Sequence, residues 1–165
     1  MTVNEQVKDR IKEVLEHMGF EVEVFEREEE GHTVYNIKTF DAKILIGKQG
    51  ANLEALQHVV RSMMRKYPEL SQYRFALDVD DYKDKRTIYL KELARKAAHH
   101  VRDNKKAVML EPMAAHERRV IHHYLSLYND IVSLSSGQEP ERRIIIRLKS
   151  NQENPPDSFN FVENM

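Results

Sequence analysis

Two short patterns in this 165-residue sequence combine residue types that could do chemistry. The first is Gly47-Lys48-Gln49-Gly50. Two glycines strip a bend of side chains, so its backbone can lie directly against another backbone. Helical spacing begins at Ala51, so the bend opens a helix N-terminus, where unpaired N–H groups and the helix dipole favour a phosphate. Lys48 adds a point charge, and Ile44, Ile46 and Leu53 offer an apolar floor for unpaired bases. The second pattern is Arg118-Arg119-Val120-Ile121-His122-His123. Arg118 and His122 stand four apart and share a helix face, with Arg119 and His123 as a neighbouring pair. A guanidinium grips phosphate with two N–H bonds or stacks on a base, and an imidazole stacks or donates. Arg142 and Arg143, with Arg147 beyond them, extend a basic strand. The competing readings are structural: a helix–helix turn, a helix face with one buried histidine, and a solvated strand.

Other chemistries find little support. There is no cysteine, which excludes disulfides and thiolate metal sites. His99/His100 and His122/His123 are adjacent pairs that point around a helix instead of converging, and no His-Glu-x-x-His occurs. Paired carboxylates are not embedded in apolar sequence. The expectation is a protein without catalytic residues, metal or cofactor. The first twenty residues are charged throughout, unlike a signal peptide, and no apolar run approaches the roughly 18 residues that span a bilayer. A soluble, cytoplasmic chain without membrane insertion is expected.

Net charge is −1, but it is unevenly spread. Residues 1–30 hold ten acids and four bases, whereas residues 82–106 hold nine bases, Lys85 and Arg86 among them, against three acids. Salt screens the distant acids within about 10 Å, so the basic stretch keeps its own field.

The elements that must position these groups follow from periodicity. Val7, Ile11, Val14, Leu15 and Met18 give a helix over 3–18, stopped at Gly19. Alternation around Val22 and Val24, then Val34 to Ile37, gives an antiparallel hairpin. A short helix at 42–46 leads into the glycine bend. A helix over about 51–66 buries Leu53, Leu56, Val60 and Met63, and Tyr67-Pro68 ends it. Residues 73–79 form a strand. Asp80-Asp81 then cap a helix over 82–102, whose stripe is Leu90, Leu93, Ala94, Ala97 and Val101. A short strand at 107–110, a helix at 113–126 and a hairpin of 131–134 with 142–148 complete the pattern. Residues 150–165 carry no base and two adjacent prolines, and are expected to be disordered.

The class is therefore α+β. The order α-β-β-α-α-β over residues 1–80, with the glycine bend between two helices, is that of a type II KH domain, which clamps about four nucleotides of single strand. A second, small α/β domain (α-β-α-β-β) occupies 81–150, followed by a tail at 151–165.

Three stretches carry a family resemblance: ILIGKQGANLEALQHVV at 44–60, LEPMAAHERRVIHHYL at 110–125 and SSGQEPERRIII at 135–146. Their order and spacing resemble the KhpB family, also called Jag or SpoIIIJ-associated proteins. The resemblance implies a KH domain followed by an RxxxH domain, single-stranded RNA binding, RNA-chaperone activity, and a role in bacterial cell elongation and cell-wall homeostasis. It implies a heteromer with the small single-KH protein KhpA, beside which a homodimer stands as the alternative. The RNA-binding set it implies is Gly47, Lys48, Gln49 and Gly50 with Arg118 and His122, and Ile46 joins it from the apolar floor. Arg119, Arg142, Arg143, Lys85 and Arg86 join it on charge. Family members usually carry a further N-terminal Jag domain and linker, whereas this sequence opens on the KH helix. A competing class of function is a protein-interaction adaptor whose KH domain mediates dimerisation, which the acidic first third favours.

Overall fold

The first helix, α1 (Val3–His17), begins at Thr2. The Thr2 hydroxyl accepts the Glu5 N–H at 3.2 Å, and the Glu5 carboxylate accepts the Thr2 N–H at 2.6 Å. This reciprocal cap satisfies two N–H groups that a helix start leaves open. Val7, Ile11 and Leu15 fall on one face and are fully buried. The computed structural model describes residues 2–29 and 31–149, and the backbone of 160–161. The chain divides into two compact units, Met1–Lys83 and Asp84–Met165.

In the first unit, α1 is followed by β1 (Glu23–Glu29), β2 (His32–Lys38), α2 (Ala42–Ile46), a single 3₁₀ turn (Lys48–Gly50), α3 (Ala51–Met64) and β3 (Phe75–Val79). β2 is the central strand, antiparallel to β1 and parallel to β3. Its parallel partner needs a crossover, which α2 and α3 supply. The helices close one face over Val24, Tyr35, Ile37, Phe75, Leu77 and Val79. The expected α3 stripe is corrected at its end: Met64 is buried and Met63 is exposed.

The free edge of β3 is not left bare. Gln57 of α3 accepts the Leu77 N–H through its Oε1 at 2.5 Å, and Arg61 donates to the Phe75 carbonyl at 2.8 Å. Two side chains thus satisfy two of the backbone groups that an edge strand exposes.

The junction after β3 differs from expectation. Asp80 and Asp81 have φ of +50° and +57°, a left-handed bend that aspartate tolerates better than most residues. The carboxylate that accepts a first-turn N–H of α4 (Tyr82–Asn104) is Asp78, whose Oδ1 takes the Lys83 N–H at 3.2 Å. Asp81 instead binds across the sheet, to Arg27 at 2.6 Å, Asn36 at 2.7 Å and Lys38 at 2.8 Å.

The second unit contains most of α4, then β4 (Val108–Met109), α5 (Ala115–Leu125), β5 (Ile131–Ser136) and β6 (Arg143–Leu148). β5 and β6 form the expected antiparallel hairpin. Leu90, Ala94, Ala97, Ala98 and Val101 of α4 pack with Ile121, Leu125, Ile144 and Ile146. The tail expectation needs one correction. Asn160–Phe161 form β7, parallel to β4, so the sheet order is β5-β6-β4-β7. Residues 150–159 and 162–165 lie outside the described residues. The α+β class is borne out. No helix among the described residues is long and apolar enough to cross a membrane.

Hydrogen bonding from Lys38, with Arg27 beside it, holds the Asp81 carboxyl below its ordinary value of 3.8. A depressed acid contributes stability above 3.8 and loses it as pH falls toward the folded value. Asp81→Asn, which keeps the bend's tolerance for positive φ, is therefore expected to be less stable than wild type at neutral pH. The difference should shrink in acid, measured by denaturant unfolding across pH; a pH-independent difference would assign the effect to backbone geometry.

Candidate functional site

The glycine bend is built from inside the first unit. Gly47 and Gly50 have φ of +69° and +84°, and Gln49 between them has +53°. Asn52 donates its side-chain N–H to the Ile44 carbonyl at 2.7 Å, capping the last turn of α2 from the first turn of α3. A Cβ on Gly47 would stand 2.5 Å from the Asn52 side chain, and one on Gly50 would stand 2.9 Å from the Tyr82 ring. Glycine is required twice over at each position, by backbone angle and by close approach. The structural reading of the motif is therefore real, and it leaves the outer side of the bend open. Lys48 is exposed and Gln49 is half-buried, with no ion pair to Lys48 among the described residues. Ile44 is 58% exposed and Ile46 half-buried beside the loop. Leu53, expected to share that floor, points into the core. The apolar floor is thus Ile44 and Ile46.

The second unit arranges its predicted residues differently. Arg118 is only 6% exposed. Its guanidinium donates to the Met113 carbonyl at 2.6 Å and to the Glu139 carboxylate at 2.6 Å. The Met113 N–H donates in turn to the Arg142 carbonyl at 3.2 Å. Arg118 thereby ties the start of α5 to the loop before β6. His122 lies one turn along the same face, as the spacing predicts. Its two ring nitrogens meet the hydroxyls of Ser133 at 2.7 Å and Ser135 at 2.9 Å on β5. Burial, with Arg118 nearby, lowers its pKa and so favours the neutral ring.

The remaining predicted residues scatter around this framework. Arg119 and Arg142 are exposed. Arg143 is half-buried, paired with Glu141 at 3.3 Å, and directs one N–H at the Met109 sulfur. Lys85 is exposed. Arg86 donates its Nε–H at 2.6 Å to Glu117, a carboxylate that is 1% exposed, and lies 5.1 Å from the Tyr89 ring centre. In the basic stretch Arg95 pairs with Glu92 and Arg102 with Asp130, so part of its charge is neutralised locally.

Sequence reasoning missed Asn52, Gln57, Glu117, Ser133, Ser135 and Glu139 as organisers. An asparagine two residues past the last glycine was a usable signal for the first; the others depend on pairing across the fold.

Two domain families match the chain. A KH domain model covers residues 3–91. A model of the RxxxH domain (an arginine, three residues, a histidine) covers residues 89–148. The fold and both motifs thus define a protein of the KH–RxxxH class. The RNA-binding protein KhpB of Clostridium symbiosum is 38% identical over 152 residues, covering 88% of this chain and 68% of that protein. KhpB of Bacillus subtilis is 33% identical over 148 residues, with 88% and 70% covered. KhpB of Lactiplantibacillus plantarum is 33% identical over 118 residues, which is 72% of this chain and 36% of that longer protein. The chain belongs to the KhpB family.

The two adjacent arginines should separate cleanly. Arg118→Ala removes hydrogen bonds from a buried charge and should cost about 2–3 kcal/mol of stability. Arg119→Ala, at an exposed position, should stay within about 0.5 kcal/mol of wild type. Urea unfolding measures both; equal small effects would mean that Arg118 is not structural.

Proposed function

We propose that the chain binds single-stranded RNA, with the Gly47–Gly50 bend as its phosphate-contacting element. The observation that carries this reading is the bend itself. Its inner side is held by Asn52 and Tyr82, and its outer side carries an exposed lysine at a helix start. The names of the relatives and the two domain matches support it. Ile46 supplies an apolar contact for a base, and Gly47, Lys48, Gln49 and Gly50 receive the backbone. The KH domain is taken as residues 1–80 and the RxxxH domain as 81–150.

In the second domain the contacts are assigned to Arg119, Arg142, Arg143, Lys85 and Arg86. Arg118 and His122 act as positioning groups: one fixes the loop before β6, the other holds α5 on β5 in a neutral, hydrogen-bonded form. No catalytic step is needed for this activity. As a member of its family the protein is further proposed to act as an RNA chaperone in the bacterial cytoplasm, in cell elongation and cell-wall homeostasis. A KhpA-like single-KH protein or a second copy of this chain is its proposed partner.

Binding through three to five phosphates should give a slope of log K against log salt of about −2 to −3.5, at roughly −0.7 per contact. Lys48→Asp with Gln49→Asp places like charge beside the phosphate and should abolish most of that affinity without lowering the melting temperature. Unchanged RNA affinity in this double variant would refute the loop assignment.

A further inference from the structure

In the sheet of the second unit β5 is a border strand, with β6 as its neighbour. Its residues pair with β6 in an unbroken register, without a bulge. The Lys149 N–H donates to the Asp130 carbonyl at 2.9 Å, one step before the pair of Ile131 with Leu148. In an antiparallel ladder the residues that bond the neighbouring strand alternate. Val132, Leu134 and Ser136 therefore turn their backbone groups to β6, and Ile131, Ser133 and Ser135 turn theirs outward. The far side of β6 agrees with this phase. Ile144, which stands opposite Ser135, accepts the Leu110 N–H at 2.9 Å on the β4 side.

Border strands are commonly protected by charge, proline, a bulge or a covering group. β5 reads Ile-Val-Ser-Leu-Ser-Ser, without charge, proline or glycine, and no charged residue follows before Glu139. The strand is also held in place. The ring nitrogens of His122 meet the Ser133 and Ser135 hydroxyls at 2.7 and 2.9 Å. Two of the residues whose backbone opens outward are thus fixed before anything binds, which lowers the ordering cost of binding. On the opposite face of the strand Leu134 remains 45% exposed. The strand is, moreover, complementary to itself. Turned about a two-fold axis through Ser133, Ile131 stands opposite Ser135 of a second copy with their backbone groups facing. Leu134 then stands opposite Val132 of the second copy, in the closer pairing that lacks hydrogen bonds. Apolar meets apolar, hydroxyl meets hydroxyl at Ser133, and no like charges meet. The same operation on β1 would bring glutamates together.

We propose that the β5 edge is a homodimer interface, at which two copies of this chain join β5 to β5, antiparallel, in one continuous sheet. For its partner the inference rests on the second copy named above, and it gives that copy a surface. RNA binding does not enter it. A lone strand pair covers less than the roughly 1,600 Å² of a standard interface, so the dimer should be weak, forming near about 100 µM and dissociating on dilution.

Sedimentation of the full chain without RNA, from about 10 µM to about 1 mM, measures the association. Leu134→Lys puts a charge into the apolar contact of both copies and should weaken the dimer about tenfold or more. Its melting temperature when dilute should match wild type, because the side chain is exposed. The sequence has no cysteine, so single cysteines report the register. Val132→Cys and Leu134→Cys, mixed and oxidised, should form a disulfide between the two variants, since their Cα atoms would lie about 4.5 Å apart. Either variant alone sets its two sulfurs on a diagonal of about 7–8 Å and should cross-link at least about tenfold more slowly. A monomer at the highest concentration, as expected of an edge that takes a strand from a different protein, would overturn the proposal. So would a dimer that Leu134→Lys leaves intact, which puts the interface elsewhere, or a mixture that cross-links no faster than its components. RNA affinity is measured separately on the Lys48→Asp, Gln49→Asp protein, so either reading can fail while the other stands.

Discussion

The hydrogen bond from Asn52 to the Ile44 carbonyl fixes the rest of the first unit's working surface. It joins the end of α2 to the start of α3 across the two glycines. With that bond made, the bend between them has one shape, and the shape leaves no room for a Cβ at Gly47 or Gly50. A bend that is ordered before it meets a ligand subtracts no ordering cost from binding. Here the ordering is done on folding, by Asn52 from one side and the Tyr82 ring from another. Lys48 is left exposed on that bend, with Gln49 half-buried beside it.

The second unit answers a similar problem with charge instead of glycine. Arg118 is buried on a carbonyl and a carboxylate, and its backbone link through Met113 reaches Arg142. His122 bridges two serines of the neighbouring strand. The two residues that name the motif are both hydrogen-bonded within the unit, whereas Arg119 and Arg142 are exposed. Glu117 likewise binds Arg86. A buried carboxylate is costly unless paired, so its presence under an arginine at the surface argues for a fixed guanidinium direction over stability alone.

Much of this was legible in the sequence. Helical spacing at Val7, Ile11 and Leu15 and around Leu53, Leu56 and Val60 located α1 and α3 because each helix has one apolar face and little else determines it. The glycine bend was visible from its context, between a short apolar helix and a long amphipathic one in the element order of a type II KH domain. What stayed hidden were properties of tertiary pairing. Arginine and histidine four apart are the same letters whether the guanidinium faces water or a carbonyl. Only the position of Met113 and Glu139 decides. Asp80-Asp81 read as a helix cap because acids favour helix starts, yet Arg27 and Lys38, far away in sequence, draw Asp81 across the sheet and leave Asp78 to take the N–H. Asn160–Phe161 lie in a polar stretch with no strand alternation, and their pairing with β4 is a backbone event that side-chain pattern does not announce.

The sealing of β3 by Gln57 and Arg61 has a consequence for the protein at high concentration. An open strand edge is a template on which any unfolded segment can add itself, and growth of that kind ends in aggregates. On this sheet one border has an N–H and a carbonyl already taken by α3. The other border, β1, carries Glu23, Glu26, Glu28 and Glu29, whose like charges would face those of an incoming copy. The sheet thus has a different device at each border, side-chain capping on β3 and like charge on β1, and both disfavour the addition of a further strand.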